Sequence, residues 1–118
     1  MSKNVCVELI TSELANDIVE ALLMACASLD LSKRTVLYVS RRWIELARKG
    51  GFEKYDRLLR DEPILELFGR FQAGGGMIWV SAFAVKSLDV HDLLNGVLVV
   101  DEKTLLDFLS QDTVHIHY

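Results

Sequence analysis

A single proline and seven glycines in 118 residues are too few for a disordered or collagen-like chain, so the sequence is expected to fold throughout. Only two cysteines occur, Cys6 and Cys26, both inside apolar stretches. Neither sits in a Cys-x-x-Cys spacing or beside a Lys, Arg or His that would stabilise a thiolate, so both are read as reduced core residues of a protein in a reducing compartment. Positive charge is also scarce. Thirteen Lys and Arg against seventeen Asp and Glu give a formal net charge of −4. That balance argues against non-specific binding to nucleic acid or anionic membrane, which needs clustered cations to displace counterions. No apolar run reaches the roughly 18 residues of a membrane span. The N-terminal segment MSKNVCVELITSEL lacks the apolar core of a secretory signal. A soluble, cytoplasmic protein is expected.

What is present is apolar residues, 51% of the chain, with a mean hydropathy of +0.24. At about 100–200 residues per domain, residues 1–118 form one domain. VCVELI at 5–10 reads as a first strand, with Thr11-Ser12 as hydroxyl caps for a following helix. From Leu14 onward, Leu14, Ile18, Leu22, Ala25 and Leu29 recur at helical spacing, widened by Ala15, Val19, Leu23 and Cys26. TVLYVS at 35–40 has little alternation, as in a strand buried on both faces.

RRWIELARK at 41–49 predicts a helix stopped by Gly50-Gly51, and helical pattern resumes over 52–60. Pro63 suits the first turn of another helix reaching about Gln72. AGGG at 73–76 is a turn before a strand at 77–82. FAVKSLDVHDLLNG then reads as a loop and short helix terminated by Asn95-Gly96, ahead of a strand at 97–100. Asp101 caps a last helix carrying Leu105, Leu106, Phe108 and Leu109, and TVHIHY at 113–118 is the final strand. Five strands alternating with helices predict a three-layer α/β/α domain around a mainly parallel five-stranded sheet of Rossmann-like type.

Open sheets of this kind bind ligands beyond the carboxyl ends of their strands. That rule gathers Thr11, Ser12, Ser40, Arg41, Ser81 and Lys86 into a candidate ligand pocket, with a small anion as the ligand its residue types favour. Arg41 and Arg42, between Ser40 and Trp43, are either part of that anion site or a pair of solvated charges. Gly74-Gly75-Gly76 precedes a strand, whereas a phosphate loop follows one, and neither GxxxxGK[ST] nor GxGxxG occurs. No GxSxG elbow supports Ser81 as a nucleophile. His115 and His117 share one face of a strand and could chelate a metal, yet spacing specifies no third ligand, His91 being the remaining imidazole. A structural or interface role is the stronger reading. No catalytic residue, cofactor or metal is expected.

The segments MIWVSAFAVKSLDVHDLLNGVLVV and DEKTLLDFLSQDTVHIHY, with the order of elements before them, resemble the DsrE/DsrF-like family of small sulfur-relay proteins, including its TusD-like and YchN-like branches. Lys86-Ser87-Leu88 looks like the family's basic-Gly-aliphatic element, and Asn95-Gly96-Val97 like its Gly-Val approach to the fourth strand. The resemblance implies a DsrE-like fold, homo-oligomers (trimers or hexamers), and a possible sulfur-relay protein as partner. Sulfur-carrying members hold a cysteine at or just after the end of the third strand. Residues 79–82 here read Trp-Val-Ser-Ala. A serine hydroxyl cannot carry a persulfide. The expectation is therefore a non-catalytic binding or structural subunit linked to intracellular sulfur metabolism. The alternatives are a sulfurtransferase using Cys26 or Cys6, and a small-anion-binding sensor module. Trp43, Phe52, Tyr55, Phe71, Phe83 and Tyr118 are the aromatic candidates for a subunit interface or the core.

Overall fold

A computed structural model describes residues 3–118; residues 1 and 2, the start of the segment read as lacking a signal, lie outside the described residues. The elements follow in the order β1 (Asn4–Leu9), α1 (Asn16–Asp30), β2 (Arg34–Val39), a 3₁₀ helix (Arg41–Ala47), α2 (Gly51–Leu58), α3 (Ile64–Ala73), β3 (Met77–Ser81), α4 (Ala82–Ser87), β4 (Leu98–Val100), α5 (Glu102–Leu109) and β5 (Thr113–His117). The five strands form one sheet in the order β4-β3-β2-β1-β5, and every neighbouring pair is parallel. The expectation of a three-layer α/β/α domain holds, with a sheet that is wholly rather than mainly parallel.

Side chains alternate across the sheet and so fall into two cores. Val5, Val7, Leu9, Leu37, Val39, Ile78 and Val80 face α1, the 3₁₀ helix, α2, α3 and α4. Cys6, Val36, Tyr38, Trp79 and Val100 face the opposite way, against Phe108 of α5. Chain direction explains the imbalance. The connections from β1 to β4 all step the same way across the sheet, so crossovers of one hand put their helices on one face. The return from β4 to β5 reverses direction and places α5 on the other.

The larger core is closed by aromatic packing, with Trp43, Phe52 and Phe71 at most 1% exposed. Phe52 stacks on Phe68 at a centroid distance of 3.9 Å. Such ring pairs contribute about 0.5–1.5 kcal/mol beyond their buried area. Trp43, Phe52 and Phe71 are therefore core rather than interface residues, whereas Phe83 is 71% exposed.

Local boundaries differ from expectation where side chains compete with the backbone. Thr11 and Ser12 do not cap α1, which starts four residues past Ser12 behind an uncapped Ala15. The Ser12 hydroxyl instead accepts from Leu14 N at 3.1 Å and bonds the Asp17 carboxylate, closing a hydroxyl turn that leaves Leu14 outside the helix. The helix expected over 41–49 is a 3₁₀ helix ending at Ala47. Arg41 has a left-handed φ of 55°, and Arg48 bridges Leu93 in an extended conformation that no helix can continue. Asn95-Gly96 does not terminate the short helix, which ends at Ser87 ahead of a left-handed Asp89. Pro63 stands at the N-cap of α3, one position before its first turn.

Candidate functional site

The sheet's carboxyl edge supplies a shallow depression of about 590 Å³ between the loop after β2 and α4. It is lined by Ser40, Arg41, Arg42, Phe83, Ala84, Ser87 and Leu88. Two residues of the expected pocket, Ser40 and Arg41, meet there. Arg42 joins them, its guanidinium 4.7 Å above the Trp43 ring.

The remaining four lie elsewhere. Ser81 caps α4, its hydroxyl accepting from Ala84 N at 3.2 Å. Because α4 begins at Ala82, residues 83, 84, 87 and 88 form the helix face toward the depression and Lys86 falls off it. Thr11 N donates to Tyr118 O at 3.2 Å. Ser12 is held by Asp17, and its carbonyl accepts from Trp43 Nε1 at 2.8 Å. The β1 loop is thus engaged with the chain's C-terminus and the larger core.

Both thiols are reduced and buried. Cys6 is 0% exposed beneath α5, and burial, reinforced by the Glu8 carboxylate two residues on, pushes its pKa up to about 12. Cys26 on α1 is 4% exposed, and its thiol donates to Leu67 O at 3.5 Å. Burial raises its pKa too, outweighing the opposing field of Arg70. A nucleophilic or sulfur-accepting cysteine needs thiolate character and access. Neither residue has them.

A third grouping lies on the α5 face at the opposite edge of the sheet. The register sets Cys6 opposite His115 and Glu8 opposite His117. The buried Glu8 carboxylate meets His115 Nε2 and His117 Nδ1, each 2.7 Å from Oε2. This is the third group that histidine spacing leaves unspecified. His91 is not part of it; its Nε2 lies 2.6 Å from Asp89 Oδ1 in an exposed loop. The available signal was Glu8 itself, a carboxylate within the otherwise apolar run VCVELI.

No protein-family profile matches the chain, and no curated relative does. Among solved structures, the crystal structure of the YchN protein from E. coli superposes with a TM-score of 0.72 at 12% sequence identity. The overlap covers 98% of this chain and 99% of that one. The chain has the fold of YchN. The overlap runs over nearly the full length of both chains, and the α/β architecture expected from the sequence is the one the two share. No helix among the described residues is long and apolar enough to cross a membrane.

Proposed function

We propose that this chain is a DsrE-like subunit of intracellular sulfur metabolism that binds or scaffolds rather than carries sulfur. The observation behind the reading is that the third strand ends in Ser81, whose hydroxyl caps α4, while Cys6 and Cys26 are 0% and 4% exposed. A persulfide has no accessible sulfur on which to form. Self-association in the cytoplasm, as a trimer or hexamer, and docking to a sulfur-relay protein belong to the same reading. Exposed apolar side chains support it, with Phe83 at 71% and Leu88 at 52% beside the depression, and Leu98 at 51% and Leu106 at 62% on the α5 side.

Incubation with a persulfide donor followed by intact-protein mass spectrometry tests the chemistry, and native mass spectrometry of the same sample tests the assembly. Unmodified protein in a defined oligomer is expected. A reducible sulfur adduct mapped to Cys6 or Cys26 in the folded protein overturns the reading in favour of sulfur transfer.

A second reading, a small-anion-binding module, is favoured by the guanidinium groups of Arg41 and Arg42 at one depression with the hydroxyls of Ser40 and Ser87. Titration with inorganic sulfate tests it. Saturable binding abolished by Arg41→Ala supports the module, and binding indifferent to Arg41→Ala and Arg42→Ala dismisses it.

A further inference from the structure

A carboxylate taken out of water costs several kcal/mol unless charge and hydrogen bonds compensate it. The Glu8 side chain is 6% exposed, and among the described residues its ion pairs are with the imidazoles of His115 and His117 rather than with Lys or Arg. Both rings come from β5, whose terminus is fixed beside β1 by Tyr118 N to Glu8 O at 2.8 Å and Ile10 N to Tyr118 O at 3.0 Å. Sheet register therefore holds the donors together before any ligand arrives. One carboxylate oxygen and two imidazole nitrogens lie within 4.8 Å of one another.

We propose that Glu8, His115 and His117 form a binding site for a divalent transition-metal ion of the zinc class, with its remaining coordination open to solvent. Two imidazoles and one carboxylate suit a borderline ion, whereas calcium takes about six to eight oxygens and magnesium a nearly all-oxygen octahedron. Metal–ligand distances of about 2.0–2.2 Å set tetrahedral donors roughly 3.3 Å apart. The 2.7 Å contacts must open by roughly 0.6 Å for an ion to sit between them. The half-exposed rings, 43% and 53% accessible, can swing outward while the buried carboxylate stays in place. The ion takes the place of the direct contacts between Glu8 and the rings and supplies positive charge beside the buried carboxylate.

Only three protein donors converge, the arrangement that leaves a position for water or an exogenous anion. The place in the fold agrees with this. Glu8 and His117 stand near the carboxyl ends of β1 and β5, the end of the strands at which open α/β sheets take ligands. The ion site is independent of any sulfur-linked role.

The test uses the full chain, stripped with a chelator and titrated calorimetrically with Zn²⁺, alongside visible absorption of the Co²⁺-substituted protein. One equivalent per chain is expected, with ligand-field bands characteristic of nitrogen and oxygen donors. Because both histidines are half-exposed, His115→Ala and His117→Ala should keep the fold, checked by circular dichroism. Each should weaken Zn²⁺ binding by about 100-fold or more, since loss of a mere supporting partner already costs about 10–100-fold. Saturating Zn²⁺ should raise the melting temperature of the native chain and not of either variant. His91→Ala should bind like the native chain. Absence of stoichiometric binding, or unchanged affinity in both His115→Ala and His117→Ala, overturns the proposal.

Discussion

Two glycine-to-alanine substitutions should move stability in opposite directions, and the structure gives the size of each. Gly51 opens α2 directly after Gly50, whose φ of 82° turns the chain into that helix. A Cβ at Gly51 would overlap the carbonyl oxygen of Glu45 and lie 2.9 Å from both Leu46 Cα and Leu46 O. Every atom in its way is backbone, so no side chain can rotate aside. The 3₁₀ helix and α2 must separate, loosening the packing of Leu46 and Phe52, each 1% exposed. Overpacking of this kind costs about 1–3 kcal/mol, and rigid backbone on the far side favours the upper half of that range. Gly69 is the opposite case. It is an exposed residue inside α3, and a Cβ there would meet nothing within 4 Å. Alanine is about 0.8–1.0 kcal/mol better than glycine inside a helix.

The entropy of unfolding converts these energies into temperatures. At about 2.1 cal/mol/K per residue, a chain of 118 residues unfolds with roughly 250 cal/mol/K, so 1 kcal/mol moves the melting temperature by about 4 °C. Gly51→Ala should lower it by about 8 °C or more, and Gly69→Ala should raise it by about 3–4 °C. Thermal melts followed by far-ultraviolet circular dichroism read both. A Gly51→Ala protein that melts with the native one would show that the 3₁₀ helix does not abut α2 as described, and the packing argument for this part of the core would fail with it.

Phe71→Ala should cost about 3–5 kcal/mol, a large share of the stability of a domain this size, because the ring is fully buried; urea titration would show a lower midpoint. Phe83→Ala, at a residue 71% exposed, should leave monomer stability within about 0.5 kcal/mol while weakening self-association, which sedimentation velocity would detect; an unaltered oligomer removes Phe83 from the interface. Asp101 accepts from Thr104 N at 2.9 Å as the N-cap of α5, and that bond, chiefly, holds its carboxyl below the usual 3.8. A depressed folded pKa means that its contribution is fully present above about pH 4 and is lost as pH falls through the folded value. The melting-temperature gap between native protein and Asp101→Ala should therefore narrow on acidification below the ordinary carboxyl range, and a gap independent of pH would refute the charged cap.

The order of strands and helices was legible because burial on both faces leaves apolar runs such as TVLYV, and because helix ends carry chemical marks such as Asp101. What was not legible arose where a local polar contact outcompeted periodicity. Leu14 carries the helical spacing yet lies outside α1, since the Ser12 hydroxyl turn precedes it. Trp43, after a strand end, was open to an interface or a core reading, and only the structure shows its indole donating to Ser12 O with the ring fully buried. Of the expected pocket, Ser40 and Arg41 were locatable from strand ends alone. Ser81 does end the third strand, but that α4 starts there without a loop, engaging the Ser81 hydroxyl as its cap and turning Lys86 off the depression, is not visible in the sequence. The Glu8 grouping escaped for a different reason. Its partners come from the far end of the chain, and only pairing β5 beside β1 makes them neighbours.

That pairing follows from the return crossover, which also explains the unequal dress of the two faces. A helix with its side chains is about 10–12 Å wide, whereas five strands at about 4.8 Å spacing make a sheet roughly 19 Å across. A single such helix covers the central strands, over Cys6, Val36, Tyr38 and Trp79, and leaves both margins of its face open. At the β4 margin the open position is Leu98, 51% exposed, and Leu106 of α5 is exposed as well, at 62%. At the β5 margin the open positions are His115 and His117. The two margins call for different partners. Apolar side chains gain from contact with protein, and the proposed self-association would cover them. Burying the β5 margin in the same way would desolvate two imidazoles already committed to a buried carboxylate, so that edge is better matched by an ion than by a second chain.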